Sequence, residues 1–322
     1  MGWVLSHRDA VVNSNPAPPS TLFRLLVCLT GIVLLGSVMS PPLYWVGTWL
    51  ADIGVLPMVK GFPFHRYFSR SMQISAILML WPAFRWVGIN RLSQLGIQAN
   101  KSWKRDAAAG FIVAFVPLAV LSAGYLWAGV YEMRSEWEAS GFIRIAGTAV
   151  VVAGLEEFLF RGVLLGLCLR AMGPLRAAVV SSAVFAAVHF LRGSKAPMES
   201  AVTWLSGFGQ LPLMVSSAPD WPLIGWGAAS LFIAGLLLAY AALRKRSLFL
   251  AAGLHAGWIF GQQGLQLISK YNKKETDFLL PWVGPNVVSG AVPTGLVPLA
   301  LLAGTTILIW LYAKNACARR GI

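Results

Sequence analysis

Apolar residues run along the chain in blocks about as long as a bilayer is thick, and short stretches between them collect the charged and turn-forming residues. The blocks fall at 22–39, 71–88, 107–130, 143–169, 174–191, 223–243, 247–268 and 294–313. Crossing a hydrocarbon core of roughly 30 Å takes about 20 helical residues, and in lipid a helix satisfies every backbone group internally. The pattern therefore predicts an all-α, polytopic transmembrane bundle of about eight helices. A further run at 43–59 holds Asp52, Gly47 and Gly54 and reads equally as a spanning or a re-entrant segment. Tandem Pro41-Pro42 is expected to break the chain before it.

Four regions follow from this layout. Residues 1–21 form a polar tail with Pro16, Pro18 and Pro19, and residues 22–91 carry the first membrane helices with a connecting loop. Residues 92–268 form a core with an insertion at about 192–222, rich in Gly, Pro and Ser and expected to be irregular. Residues 269–322 supply a loop, a last membrane helix and a short tail. Residues 90–106 read as an amphipathic connector that holds Arg91, Lys101, Lys104 and Arg105 at the lipid headgroups.

Composition strengthens the membrane reading. Hydrophobic residues make up 57% of the chain and charged ones only 12%, which places it among integral membrane proteins with the lipid bilayer as its first partner. The net charge of +14 brings no basic stripe with interleaved aromatics on a soluble domain, so nucleic acid is not an expected partner. The cations sit in the connections between apolar blocks, and their distribution favours both ends of the chain on the cytoplasmic side. Three widely spaced cysteines, Cys28, Cys168 and Cys317, suggest neither a disulfide framework nor a thiolate zinc site.

Chemistry concentrates in the block at 143–169, where Glu156 and Glu157 stand next to each other. A carboxylate near the middle of a membrane helix costs about 2.5–3.5 kcal/mol on insertion scales. Arg161 lies four residues after Glu157, the favoured orientation for a helical ion pair. Glu156 points about 100° away from that pair and is left without a cation. Four histidines occur, with His7 and His65 expected in the tail and in a loop. His189 follows Phe185 by one turn in a second block, and His255 lies inside a third, bracketed by Gly253, Gly257 and Gly261 at a spacing that lets helices approach closely.

Glu-Glu-x-x-x-Arg, then Phe-x-x-x-His, then a His early in a late helix resembles the CPBP family of intramembrane proteases, which includes the CAAX-processing endopeptidases and proteins named for lysostaphin resistance and bacteriocin immunity. The resemblance covers about 92–263. It implies an endopeptidase in the cell membrane of a bacterium that hydrolyses a membrane-associated protein or peptide, with Glu156, Glu157, His189 and His255 as catalytic residues and Arg161 and Phe185 as their support. The family position four residues after His255 usually holds Asn or Asp, and here it is Ile259.

No serine-protease elbow, intramembrane Asp pair or His-Glu-x-x-His is present. Glutamate-based hydrolysis remains, with Glu156 as general base on a water held by His189, and His255 as donor to the oxyanion. No cofactor is assigned, although Glu156, His189 and His255 have the ligand chemistry of a catalytic zinc centre. Gln262 and Gln263 share the face of His255 and offer substitute donors. Two other classes stay open: a proton-coupled transporter using the Glu/His cluster, and an inactive scaffold or immunity protein, to which Ile259 points.

Overall fold

The structure is a computed structural model that describes residues 20–91, 101–190, 201–216, 221–272, 282–283 and 295–318. The polar tail to residue 19, the connector at 92–100 and the insertion at 192–200 lie outside the described residues. The described elements are helical apart from one two-stranded sheet. Helices long and apolar enough to cross a membrane cover Leu26–Asp52, Trp103–Trp127 and Ile224–Lys245, with shorter apolar helices at Pro174–Phe190 and Leu296–Tyr312. The chain is an all-α membrane bundle, for which eight spans is an approximate count.

The chain divides into two compact units, residues 1–90 with 190–219 and residues 91–189 with 220–322. In the first, α1 (Ser20–Asp52) continues through Pro41 and Pro42, where a break was expected, so the run at 22–39 and the run at 43–59 as far as Asp52 form one helix. The local chemistry explains this. Pro41 cannot donate to the Ser37 carbonyl, and the Ser40 hydroxyl donates to that carbonyl instead at 2.9 Å, the kind of side-chain replacement that lets membrane helices keep a proline. A 3-10 turn at Pro57–Val59 follows. Then α2 (Phe64–Val87) starts several residues before the expected block, which places His65 on a helix. Gly36 and Gly47 admit Met72 and Tyr67 of α2 against α1. Part of the insertion expected to be irregular is helical, α7 (Ser206–Ser216), and the nearby Trp204 ring meets Trp45 of α1 edge-on at 4.7 Å.

The second unit holds α3 (Trp103–Trp127), α4 (Ser140–Glu157), α5 (Leu165–Ala171), α6 (Pro174–Phe190, whose last residue falls in the first unit), α8 (Trp221–Lys245), α9 (Phe249–Ile268) and α10 (Leu296–Ala318). Its centre is the contact of α3 with α9, which run parallel. A Cβ on Gly253 would stand 2.9 Å from the Ala107 carbonyl carbon, and one on Gly257 would stand 2.6 Å from the Phe111 oxygen. These glycines let two backbones touch, as small residues do in membrane bundles. On another face of α9, α4 runs antiparallel, with Ile259 packed on Ala149 and Ala153.

Where α3 and α9 end, the chain does something no apolar block announces. Strands β1 (Tyr131–Met133) and β2 (Ser269–Tyr271) pair antiparallel, with Tyr131 opposite Tyr271. Tyr131 stacks on Tyr125 and meets Tyr271 edge-on, with ring centroids 5.9 and 5.5 Å apart. Burial and then the neighbouring Tyr271 hold the Tyr131 phenol above its ordinary value. At the opposite end, Asp106 near the start of α3 accepts bonds from Ser102 at 3.0 Å and Tyr312 of α10 at 2.7 Å. It also pairs with Lys245 at the end of α8 at 2.9 Å. One buried carboxylate thus ties three helices together.

Candidate active site

Helical backbone does not stop at Glu157. It passes into seven residues of π-helix, Phe158–Leu164, and then into α5. A π segment takes an extra residue into a turn, weakens the backbone ladder and is found mostly at functional sites. Glu157 closes α4 and Arg161 sits inside the π segment, with Nη1 donating to Glu157 Oε1 at 3.0 Å. The second guanidinium arm donates to the Gly235 carbonyl of α8 at 3.2 Å. Phe185 supports the group from α6, its ring 4.2 Å from the guanidinium carbon.

Glu157 Oε1 accepts a second bond, from Nδ1 of His255 on α9 at 2.9 Å. Both side chains are almost completely buried. A carboxylate oxygen only accepts, so this contact places a proton on Nδ1 and turns Nε2 toward Glu156. His189 is oriented by the same logic. Its Nδ1 lies 2.8 Å from the Phe185 carbonyl one turn back on α6, so Nδ1 carries the proton and Nε2 is the basic atom. The two Nε2 atoms flank a single oxygen, Glu156 Oε2, at 3.6 Å for His189 and 3.7 Å for His255.

Those two spacings exceed a direct hydrogen bond and suit a bridging water. Glu156 Oε2 is buried and makes no hydrogen bond among the described residues. The carboxylate as a whole is the most open group of the cluster at 21% exposure, while Glu157 is fully buried. Glu156, Glu157, Arg161, His189, His255 and Phe185 are therefore brought together.

Other expected residues fall elsewhere. Ile259 is buried in the α4–α9 seam one turn beyond His255. Gln262 is fully buried with both amide atoms unpartnered among the described residues. It lies seven residues from His255, about 10 Å along the axis, so its amide does not share an oxygen with the His255 ring. Gln263 is partly exposed.

Three features escape sequence reading: the Glu157–His255 bond, the Gly235 carbonyl and the π segment. Only Gly235 leaves a trace, since a Cβ there would stand 2.9 Å from Ser182 Cβ, and its absence lets α6 and α8 close together.

Two imidazoles and a carboxylate are zinc-type donors. Among the described residues, however, no group of three or more His, Cys, Asp or Glu side chains has the arrangement of a metal site. What these residues can do on their own is hold and move protons.

Residues 137–261 match the family described as type II CAAX prenyl endopeptidase Rce1-like. Over that segment the chain is similar to the CAAX-protease family, in line with the resemblance to CPBP proteases. The match contains every residue of the cluster and begins after α3, later than the resemblance at 92–263 suggested. No curated protein and no solved structure matches the chain. An Rce1-like match, together with apolar helices of spanning length, supports an integral membrane protein of the protease class.

Proposed function

We propose that this Rce1-like protein is an intramembrane endopeptidase that hydrolyses a peptide bond of a membrane-associated protein or peptide, using water activated by Glu156 and His189. The observation that carries the reading is the unbonded Glu156 oxygen between two imidazole Nε2 atoms, in a cluster where every other charge is paired.

Water between Glu156 Oε2 and His189 Nε2 gives one proton to the carboxylate while its oxygen attacks the carbonyl carbon. Protonated His255 donates from Nε2 to the oxyanion, and its positive charge is held by Glu157 at Nδ1. When the C–N bond breaks, Glu156 returns its proton to the leaving amine, and the new carboxylic acid and amine depart. Arg161 holds Glu157 in place, so it positions the site without touching substrate. His255 lies six residues after the first residue of α9, about 9 Å along the axis, and about 20 Å from its end. Substrate accordingly enters from the face where α3 and α9 begin. The family name adds prenylated CAAX peptides to the substrates worth testing.

Ile259 favours a second reading, in which the site holds a peptide and does not cleave it. Purified protein in detergent, incubated with a peptide library and with a prenylated CAAX peptide, decides between them by mass spectrometry of the products. Cleavage that survives exhaustive chelation, with well under one zinc per chain by elemental analysis, supports the proton mechanism. Zinc near one per chain, lost together with activity and restored with it, replaces that mechanism by metal-activated water. No cleavage of any peptide supports the second reading.

A further inference from the structure

We propose that the start of α3 and the turn between α8 and α9 form a binding surface for the headgroup of an anionic phospholipid. The parallel packing of α3 and α9 brings Lys101, Lys104 and Arg105 to the same end of the unit as Arg244, Lys245 and Arg246. The one carboxylate there among the described residues, Asp106, is buried and taken by Lys245. The other five cations are exposed, and none forms a salt bridge among the described residues.

Aromatic rings mark where this surface meets lipid. Trp103 and Phe249, 45% and 38% exposed, lie with centroids 5.5 Å apart on the neighbouring helix starts, and Lys104 Nζ stands 5.5 Å from the Trp103 ring. Rings beside cations are the composition of a membrane–water interface. Arg246 supplies the most specific sign. It is the one described non-glycine residue with positive φ, at 49°, a conformation that glycine or asparagine adopts at less cost. The turn keeps a cation where backbone strain alone would choose another residue. At the other end of the unit, Arg134, Arg144 and Lys270 are matched by Glu132, Glu136 and Glu138, and Lys270 pairs with Glu132 at 3.3 Å. Among the described residues that end has no surplus charge to offer a phosphate.

The test is native mass spectrometry of the purified protein with added phosphatidylglycerol or phosphatidylcholine of identical chains. Wild type is expected to retain phosphatidylglycerol about tenfold better, in keeping with the attraction of basic segments for anionic lipid. K104Q/R244Q/R246Q is expected to lose that preference, and R144Q/K270Q to keep it. Because the wild-type comparison needs no variant, misfolding of the triple mutant leaves the proposal exposed to failure. Equal retention of the two lipids by wild type overturns it. So does a preference that persists in the folded triple variant, or competition by an acidic peptide without any lipid preference, which would assign the surface to a protein partner.

Discussion

Two buried carboxylate clusters sit in the same unit, and they differ in how completely their oxygens are engaged. Asp106 has Lys245, Tyr312 and Ser102 on its two oxygens, so nothing remains with which to attract a reactant. It is a joint between α3, α8 and α10. Glu157, also fully buried, spends one oxygen on Arg161 and His255 together, and its other oxygen is unbonded among the described residues. Glu156, next to it, has an oxygen with no bond at all and two imidazoles just beyond bonding distance. Burial of charge therefore does not distinguish structure from chemistry here. The identity of the partners does, because a carboxylate paired with a guanidinium or ammonium stabilises a packing arrangement, and one flanked only by imidazole nitrogens is poised to move a proton.

Breaking the ion pairs should act on the fold. Arg161→Ala leaves Glu157 buried with only His255 as partner, and the expected loss is about 3–5 kcal/mol, seen as a large drop in the detergent melting temperature and in membrane abundance. His189→Gln should instead leave the melting curve near wild type and lower turnover by about 10²-fold, since a general acid–base group contributes at least that much. Lys245→Met removes the cation from Asp106 but leaves two hydrogen bonds. With Lys245 near the membrane surface, the expected cost is about 1–2 kcal/mol, well under the full cost of breaking a buried pair, with peptidase activity per folded molecule unchanged. Ile259→Asn is the smallest effect, a rise in turnover of about tenfold. That is below the full worth of an oxyanion donor, because the amide must also replace an apolar contact with Ala149 and Ala153. A fall in turnover on Ile259→Asn would show that the seam needs packing more than the site needs a donor.

How much of this was legible in the sequence depends on range. The Glu157–Arg161 pair needs only a four-residue spacing on a helix, and the closeness of α9 to a neighbour follows from Gly253, Gly257 and Gly261. Helix boundaries fared worse where a side chain rescued the backbone. Pro41-Pro42 reads as a break, and only the Ser40 hydroxyl on the Ser37 carbonyl shows why it is not one. The bond from His255 to Glu157 joins residues 98 apart, and no local periodicity carries that information. The π segment around Arg161 likewise has no periodicity in Phe158–Leu164 to announce it. Gln262 shares the helical face of His255, yet two turns of rise put it out of reach, a distance that a face diagram hides.

The central claim is that Glu156, which has no guanidinium partner and lies between two imidazoles, performs the chemistry, while the ion-paired carboxylates hold the fold. Its most direct test is turnover per folded molecule for Glu156→Gln, measured beside the wild-type protein with one peptide and with both melting curves recorded. The account expects wild-type melting and a loss of activity of about 10³-fold or more. A Glu156→Gln protein that cleaves at the wild-type rate, or one that fails to fold, would contradict it.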